Sequence, residues 1–139
     1  MVDDLRAARV SSLAALSMQS ARMRILSENI ANANVTATVP GGDPYVRKTI
    51  TFKQEIDRVS GVTIVSIGEI GRDRTPFRID VDPGHPAADA NGHVKLPNVN
   101  PLVELADMRE AHRSYEANLQ VVRQIREIVG DLLDLLRSK

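Results

Sequence analysis

Residues 100–139 read NPLVELADMREAHRSYEANLQVVRQIREIVGDLLDLLRSK. Asn100 is placed to cap a helix, and Pro101 to take its first position, where a missing N–H costs nothing because no intrahelical acceptor exists for it. Stepping alternately by three and four residues then gives Leu105, Met108, His112, Tyr115, Leu119, Val122, Arg126, Val129, Leu133 and Leu136, a row that is mostly apolar or aromatic. From Val121 a second row joins it through Ile125, Ile128, Leu132 and Leu135, so the stripe becomes wider than one partner helix covers. Roughly 37 helical residues at about 1.5 Å each reach about 55 Å, beyond the usual globular helix. The stretch predicts a long heptad helix that packs on more than one neighbour.

The opposite end of the chain carries a weaker version of the same pattern. Leu13, Leu16, Ser20, Met23, Ser27 and Ile30 follow three-four stepping, with serine at two of the positions. Asp3 or Asp4 is expected to cap this helix, and the run Asn29, Asn32, Asn34 to close it through a left-handed asparagine, giving a span of roughly 4–33. Between the flanks lie seven of the eight glycines and six of the seven prolines, from Pro40 to Pro97. Alternation there predicts strands: Val46, Lys48, Ile50 and Phe52 on one face of the first, and Phe77, Ile79 and Val81 on the buried face of another. Residues 62–70 and 93–96 are further strand candidates. The expected fold is therefore α+β. It has an N-terminal helix in 1–34, a small antiparallel β module in 35–97 and a C-terminal helix in 98–139, the two heptad helices forming a coiled-coil-like pair. Inter-helix packing is assigned to Leu13, Leu16, Met23 and Ile30 on the first helix. On the second it is assigned to Leu105, Met108, Leu119, Val122, Ile125, Val129, Leu132, Leu133 and Leu136.

Composition narrows the function classes. The 139 residues hold 18 Lys plus Arg against 18 Asp plus Glu, and aromatics make up only 3%. Such a chain has neither the basic excess that holds a phosphate backbone nor the aromatic faces that stack bases, so nucleic acid is not an expected partner. A net charge of zero also removes the self-repulsion that keeps proteins apart, which favours association. The absence of cysteine excludes disulfides, thiolate metal sites and thiol nucleophiles. The first thirty residues, interrupted by Arg6, Arg9, Arg22 and Arg24, do not read as a cleavable signal peptide, and no run is long and apolar enough for a membrane span.

One segment tempts a chemical reading. His85, Asp89 and His93 are spaced four apart, but Pro83, Gly84, Pro86 and Gly92 forbid the regular helix that would bring them to one face. A structural turn is expected instead, with Asp and Asn bonding the backbone, in which Gly84→Val does harm if that position needs a positive φ. His112, on the apolar row, reads as a packing residue. Gly41-Gly42 and the Gly68, Gly71 pair lack phosphate-loop spacing. On the last helix Arg123, Arg126 and Arg137 are matched by Glu127, Asp131 and Asp134, which suits helix-to-helix packing better than a membrane surface. No metal, cofactor or small-molecule substrate is expected.

Several blocks carry a resemblance. Leu26-Ser-Glu-Asn29-Ile30-Ala31-Asn32-Ala-Asn-Val35 resembles the N-terminal signature of the bacterial flagellar axial proteins, and Ser114-Tyr115-Glu116-Ala117-Asn118 their C-terminal one. Gly42-Asp-Pro-Tyr45-Val-Arg-Lys48, Pro76-Phe77-Arg78, Asp82-Pro83-Gly84-His85-Pro86-Ala-Ala-Asp89-Ala-Asn-Gly92 and Pro97-Asn-Val-Asn100 are similar to the proximal rod proteins of the FlgC type. The pattern departs at Val81, His93 and Leu96, where aromatics are usual, and at His112-Arg113, where Ser-Arg is usual. The resemblance implies a non-enzymatic structural subunit of the flagellar basal body, in a periplasmic rod that serves as a torque-transmitting drive shaft. It implies export through the flagellar type III apparatus without a cleaved signal peptide. Implied partners are the other proximal and distal rod proteins, the rod-base adaptor, the MS-ring protein and further copies of the chain. The terminal helices would line an inner tube with the β module outside. Taken without the resemblance, the residues also fit a coiled-coil adaptor or secretion chaperone, or a hydrolase with a metal at His85, Asp89 and His93.

Overall fold

In the computed structural model, which describes residues 1–137, Asn100 caps the second long helix. Its side-chain oxygen accepts the Leu102 N–H at 3.1 Å and its carbonyl accepts the Glu104 N–H at 3.1 Å. The chain runs α1 (Val2–Ala31), β1 (Lys48–Ile56), β2 (Thr63–Arg72), β3 (Arg78–Val81), β4 (His93–Leu96), α2 (Pro101–Arg137). The fold is α+β, two terminal helices with small antiparallel sheets between them.

The ends of α1 differ from expectation. The Leu5 N–H reaches the Met1 carbonyl at 3.0 Å, so Asp3 and Asp4 lie inside the first turn and do not cap it, although their charges still suit the positive helix end. At the other end no described non-glycine residue adopts a positive φ, so no left-handed asparagine closes the helix. Instead Asn32 bonds twice to the Glu28 carbonyl, through its backbone N–H at 3.1 Å and its side-chain amide at 2.7 Å, and the Ala33 N–H closes the last turn on the Ile30 carbonyl at 3.2 Å.

β1 and β2 form one two-stranded sheet and β3 and β4 another. The first closes where the Asp57 N–H meets the Val62 carbonyl at 2.8 Å, and Gly61 supplies the positive φ of the turn. The Ser60 hydroxyl and backbone N–H bind the Asp57 carboxylate and hold it below its ordinary pKa. In the second sheet Ile79 pairs with Lys95, Asp80 with Val94 and Val81 with His93. Directly opposed residues share a face. Ile79 and Val81 thus stand with His93 and Lys95 and are 57% and 68% exposed, while Val94 on the other face is buried. The apolar face expected to be buried on β3 is open, because the partner strand presents its buried residue to the opposite side.

Contacts group the residues into two units. The first joins Met1–Arg22, Thr51–Gly68 and the chain from Glu110 on; the second joins Met23–Ile50 and Glu69–Arg109. The buried positions of α1 are Ser12 and Gln19 in the first unit, then Ile25, Leu26 and Asn29 in the second. Those of α2 are Glu104 in the second unit, then Ala111, Val122 and Ile125 in the first. Ser12, Gln19 and Leu26 fall seven apart, as do Glu104, Ala111 and, two heptads further, Ile125. Of the residues assigned to packing, Val122 and Ile125 are buried, whereas Leu16, Met23, Ile30, Met108, Leu119 and Leu132 are half-buried. Leu13, Leu105, Val129, Leu133 and Leu136 are exposed. His112 leaves the apolar row altogether: it is exposed, with Glu116 at 3.3 Å one turn on. Tyr115 and Asn118 are half-buried, Glu116 and Ala117 exposed, and Asn118 bonds back to the Ser114 carbonyl at 2.8 Å.

Candidate assembly interface

Asn29, the first residue of the Asn29-Ile30-Ala31-Asn32 block, is 0% exposed and uses all its hydrogen-bonding capacity. Its Nδ2 donates to the Lys48 carbonyl and to Glu104 Oε2, both at 2.9 Å. Its Oδ1 accepts from the Tyr45 hydroxyl and the Lys48 N–H, also at 2.9 Å. Glu104 is 1% exposed, and its other carboxylate oxygen accepts from Arg47 Nε at 2.6 Å. Arg47 reaches on to Asp73 at 3.3 Å, and its N–H donates to the Asn98 side chain at 2.8 Å. One cluster within the second unit therefore ties the last turns of α1 to the entry of β1, the exit of β2 and the first turn of α2.

Its electrostatics are settled by close partners. Burial pulls the Arg47 pKa down, but bonds to the Glu104 and Asp73 carboxylates leave it above its ordinary value. The Thr75 hydroxyl and N–H, with Arg47 beyond them, hold Asp73 below its ordinary range. Lys48 and Glu28, 2.6 Å apart, move each other in opposite directions, lysine up and glutamate down. Burial raises the Tyr45 hydroxyl. Sequence reading missed Glu104, Arg47, Tyr45 and Asn98 as a group. The available signal was the Tyr45-Val-Arg47-Lys48 block beside the asparagine motif.

The loop around His85 is built by backbone bonds. His85 Nδ1 accepts from the Ala87 N–H at 3.0 Å, and one Asp89 oxygen accepts from the Asn91 and His93 N–H groups at 2.8 and 2.9 Å, which lowers its pKa. Among the described residues no His, Asp or Glu side chains gather as a metal ion requires, so His85, Asp89 and His93 are not brought together as ligands. Pro83, Gly84 and Pro86 are exposed on this loop. Gly84 does not take the left-handed conformation; Gly92 does, at φ 77°. A Cβ at Gly92 would sit 2.8 Å from Pro83 Cγ, whereas one at Gly84 meets only Asp82 Oδ1 at 3.5 Å. Gly92→Val should therefore destabilise the protein by about 2–4 kcal/mol, from left-handed strain plus overpacking against a rigid ring. Gly84→Val should cost under about 1 kcal/mol. Urea unfolding of the two variants side by side checks the order.

The first unit holds an open apolar surface. Leu5, Ile125, Val129, Leu132, Leu133 and Leu136 line a groove of about 290 Å³, with Arg6 and Arg9 also on its wall. Leu133 is 51% and Leu136 74% exposed, and Val121, Ile128 and Leu135 are exposed beside them. A helix end this apolar and this open has the character of an interface. Among the described residues no helix is long and apolar enough to cross a membrane.

Comparison with known proteins agrees with this character. A family model described as the flagellar basal body rod FlgEFG protein C-terminal matches residues 90–135. The flagellar basal-body rod protein FlgC of Agrobacterium fabrum is 56% identical over 137 residues, 99% of each chain. Its counterpart in Salmonella typhimurium is 34% identical over 121 residues, 87% of this chain and 90% of the relative. That of Borreliella burgdorferi is 33% identical and covers 88% and 91%. On similarity that spans nearly the whole chain, the protein belongs to the flagellar basal-body rod protein FlgC family.

Proposed function

We propose that this structural rod protein self-assembles through its terminal helices into the proximal rod, the torque-transmitting drive shaft of the flagellum. The observation that carries the reading is the exposed apolar row along the last turns of α2, from Val129 through Leu133 to Leu136. Covering the part of each such side chain that is still open gains about 0.6–2 kcal/mol, so a neighbour that covers the whole row is favoured. The wide stripe accounts for association with more than one subunit at once, and many contacts along two long helices resist twist. Its neighbours are other proximal and distal rod proteins, the rod-base adaptor, the MS-ring protein and copies of itself. The rod lies in the periplasm, and the chain reaches it through the flagellar type III export apparatus without a cleaved signal peptide. The terminal helices and the β module act as the inner and outer parts of the subunit, and the Asn29 and Tyr115 blocks as the family's helix signatures. No catalytic, metal or cofactor role is assigned.

Imaging of purified basal bodies tests the proposal. Cells lacking the chain should build basal bodies without a rod, and a tagged copy should restore the rod and lie within it. Complete rods in the deletion strain would overturn the reading.

A further inference from the structure

The apolar stripe on the last turns of α2 has two edges of opposite charge. With about 100° of rotation per residue, Val121, Ile128 and Leu135 form a row beside the groove wall. Glu127, Asp131 and Asp134 follow that row on its outer side, whereas Arg126 lies on the groove side, where it lines a hollow together with Arg9. Arg6 and Arg9 of α1 stand along the groove itself. One unit therefore carries an apolar groove with Arg6 and Arg9 on its wall, and an apolar row whose outer side bears Glu127, with Arg123 beside it, and then Asp131 and Asp134 along the last turns.

We propose that the groove is occupied by the Val121–Ile128–Leu135 row of a second copy of this chain, whose Asp131 and Asp134 meet Arg6 and Arg9 of the first. The inference rests on assembly into a rod and names what the groove takes. The two surfaces lie at different places on one molecule, so the contact is heterologous: each copy offers a groove to one neighbour and a row to another. Such a contact is not satisfied within a pair: it generates a ring where the rotation closes and a helical filament where it does not. Apolar burial supplies the driving force. The matched edges set register and orientation, since a shifted or reversed row would place carboxylates or arginines against their own kind.

Charge reversal tests the pairing in cells whose own copy is removed. R6E with R9E, and separately D131R with D134R, should each lower rod incorporation and swimming at least about tenfold, because like charges then face each other across the contact. Co-expression of the two variants should restore both, since an acidic groove then meets a basic row and a basic groove meets an acidic row in alternation. Folding is checked by helical circular dichroism of each purified variant. The sign-preserving R6K with R9K and D131E with D134E should assemble like the unmodified chain. Folded variants whose mixture does no better than either alone would overturn the proposal. So would normal assembly of the D131R D134R variant beside failure of R6E R9E, which would mean a different protein fills the groove. Failure of the sign-preserving variants would show that shape and not charge decides the contact. A tagged unmodified chain found in rods while the reversal pair fails to rescue leaves the rod assignment standing and removes only this contact.

Discussion

Replacing Glu104 by Ala is expected to destabilise the second unit by about 3 kcal/mol, among the larger effects open to a single substitution in this chain. The carboxylate is 1% exposed and accepts from Asn29 and Arg47 at 2.9 and 2.6 Å. Its loss leaves the Arg47 guanidinium with Asp73 alone at 3.3 Å, and the Asn29 amide with one acceptor, the Lys48 carbonyl. Breaking a buried ion pair by removing one partner costs about 3–5 kcal/mol, and the lower end applies because water can still reach part of Arg47. The readout is amide hydrogen exchange at 23–31 and 101–109 in the full chain, which should quicken by roughly 100-fold. Glu104→Gln keeps one acceptor oxygen and should lose about half as much. Asn29→Leu combined with Glu104→Met should cost less than the sum of the separate changes, because fewer buried polar groups are left without partners. Exchange unchanged to within a few-fold in Glu104→Ala would remove the cluster as the element that holds the helix ends.

The same cluster shows where sequence reading stopped. Asn100-Pro101 announced the start of α2, and 93–96 proved to be β4 without a shift, because capping and turn chemistry are local. The inward row of α1 was not legible. It runs through Ser12, Gln19 and Leu26, with Ile25 and Asn29 beside it, and a search for apolar stepping passes over its polar members, whose partners lie up to 95 positions away, as Gln19 and Ser114 do. It settled on Leu13, which is exposed. Glu104 stands in the first turn of α2, where an acid suits the helix dipole whether or not it is buried, so nothing local marks it. Only the fold shows that Tyr45, Arg47 and Asn29 converge near it. For β3 the alternation was present, but which face is buried depends on Val94 of the strand it pairs with. The His85 loop holds two glycines, Gly84 and Gly92, and nothing local tells them apart; the fold gives the positive φ to Gly92, where an added Cβ would also meet Pro83.

Leu133→Asp should abolish incorporation into the rod while leaving the free chain folded, and that separation is what gives it value. Leu133 is 51% exposed, so the isolated protein loses only about 1 kcal/mol, roughly half the value of a fully buried leucine. In the rod as proposed above a neighbour covers the same position, and an unpaired carboxylate there would cost several kcal/mol for desolvation in addition to the lost apolar contact. Because every copy carries the change, the penalty recurs at each added subunit and growth stops early. Leu133→Met keeps volume and polarity and should assemble normally, with any stability change below about 1.5 kcal/mol. Helical circular dichroism of the purified variants establishes folding. Swimming and subunit content of isolated basal bodies then report assembly. A folded Leu133→Asp protein that enters rods at the normal level and supports swimming would mean that this row faces solvent in the rod, and the burial argument for α2 would fail at its most exposed turns.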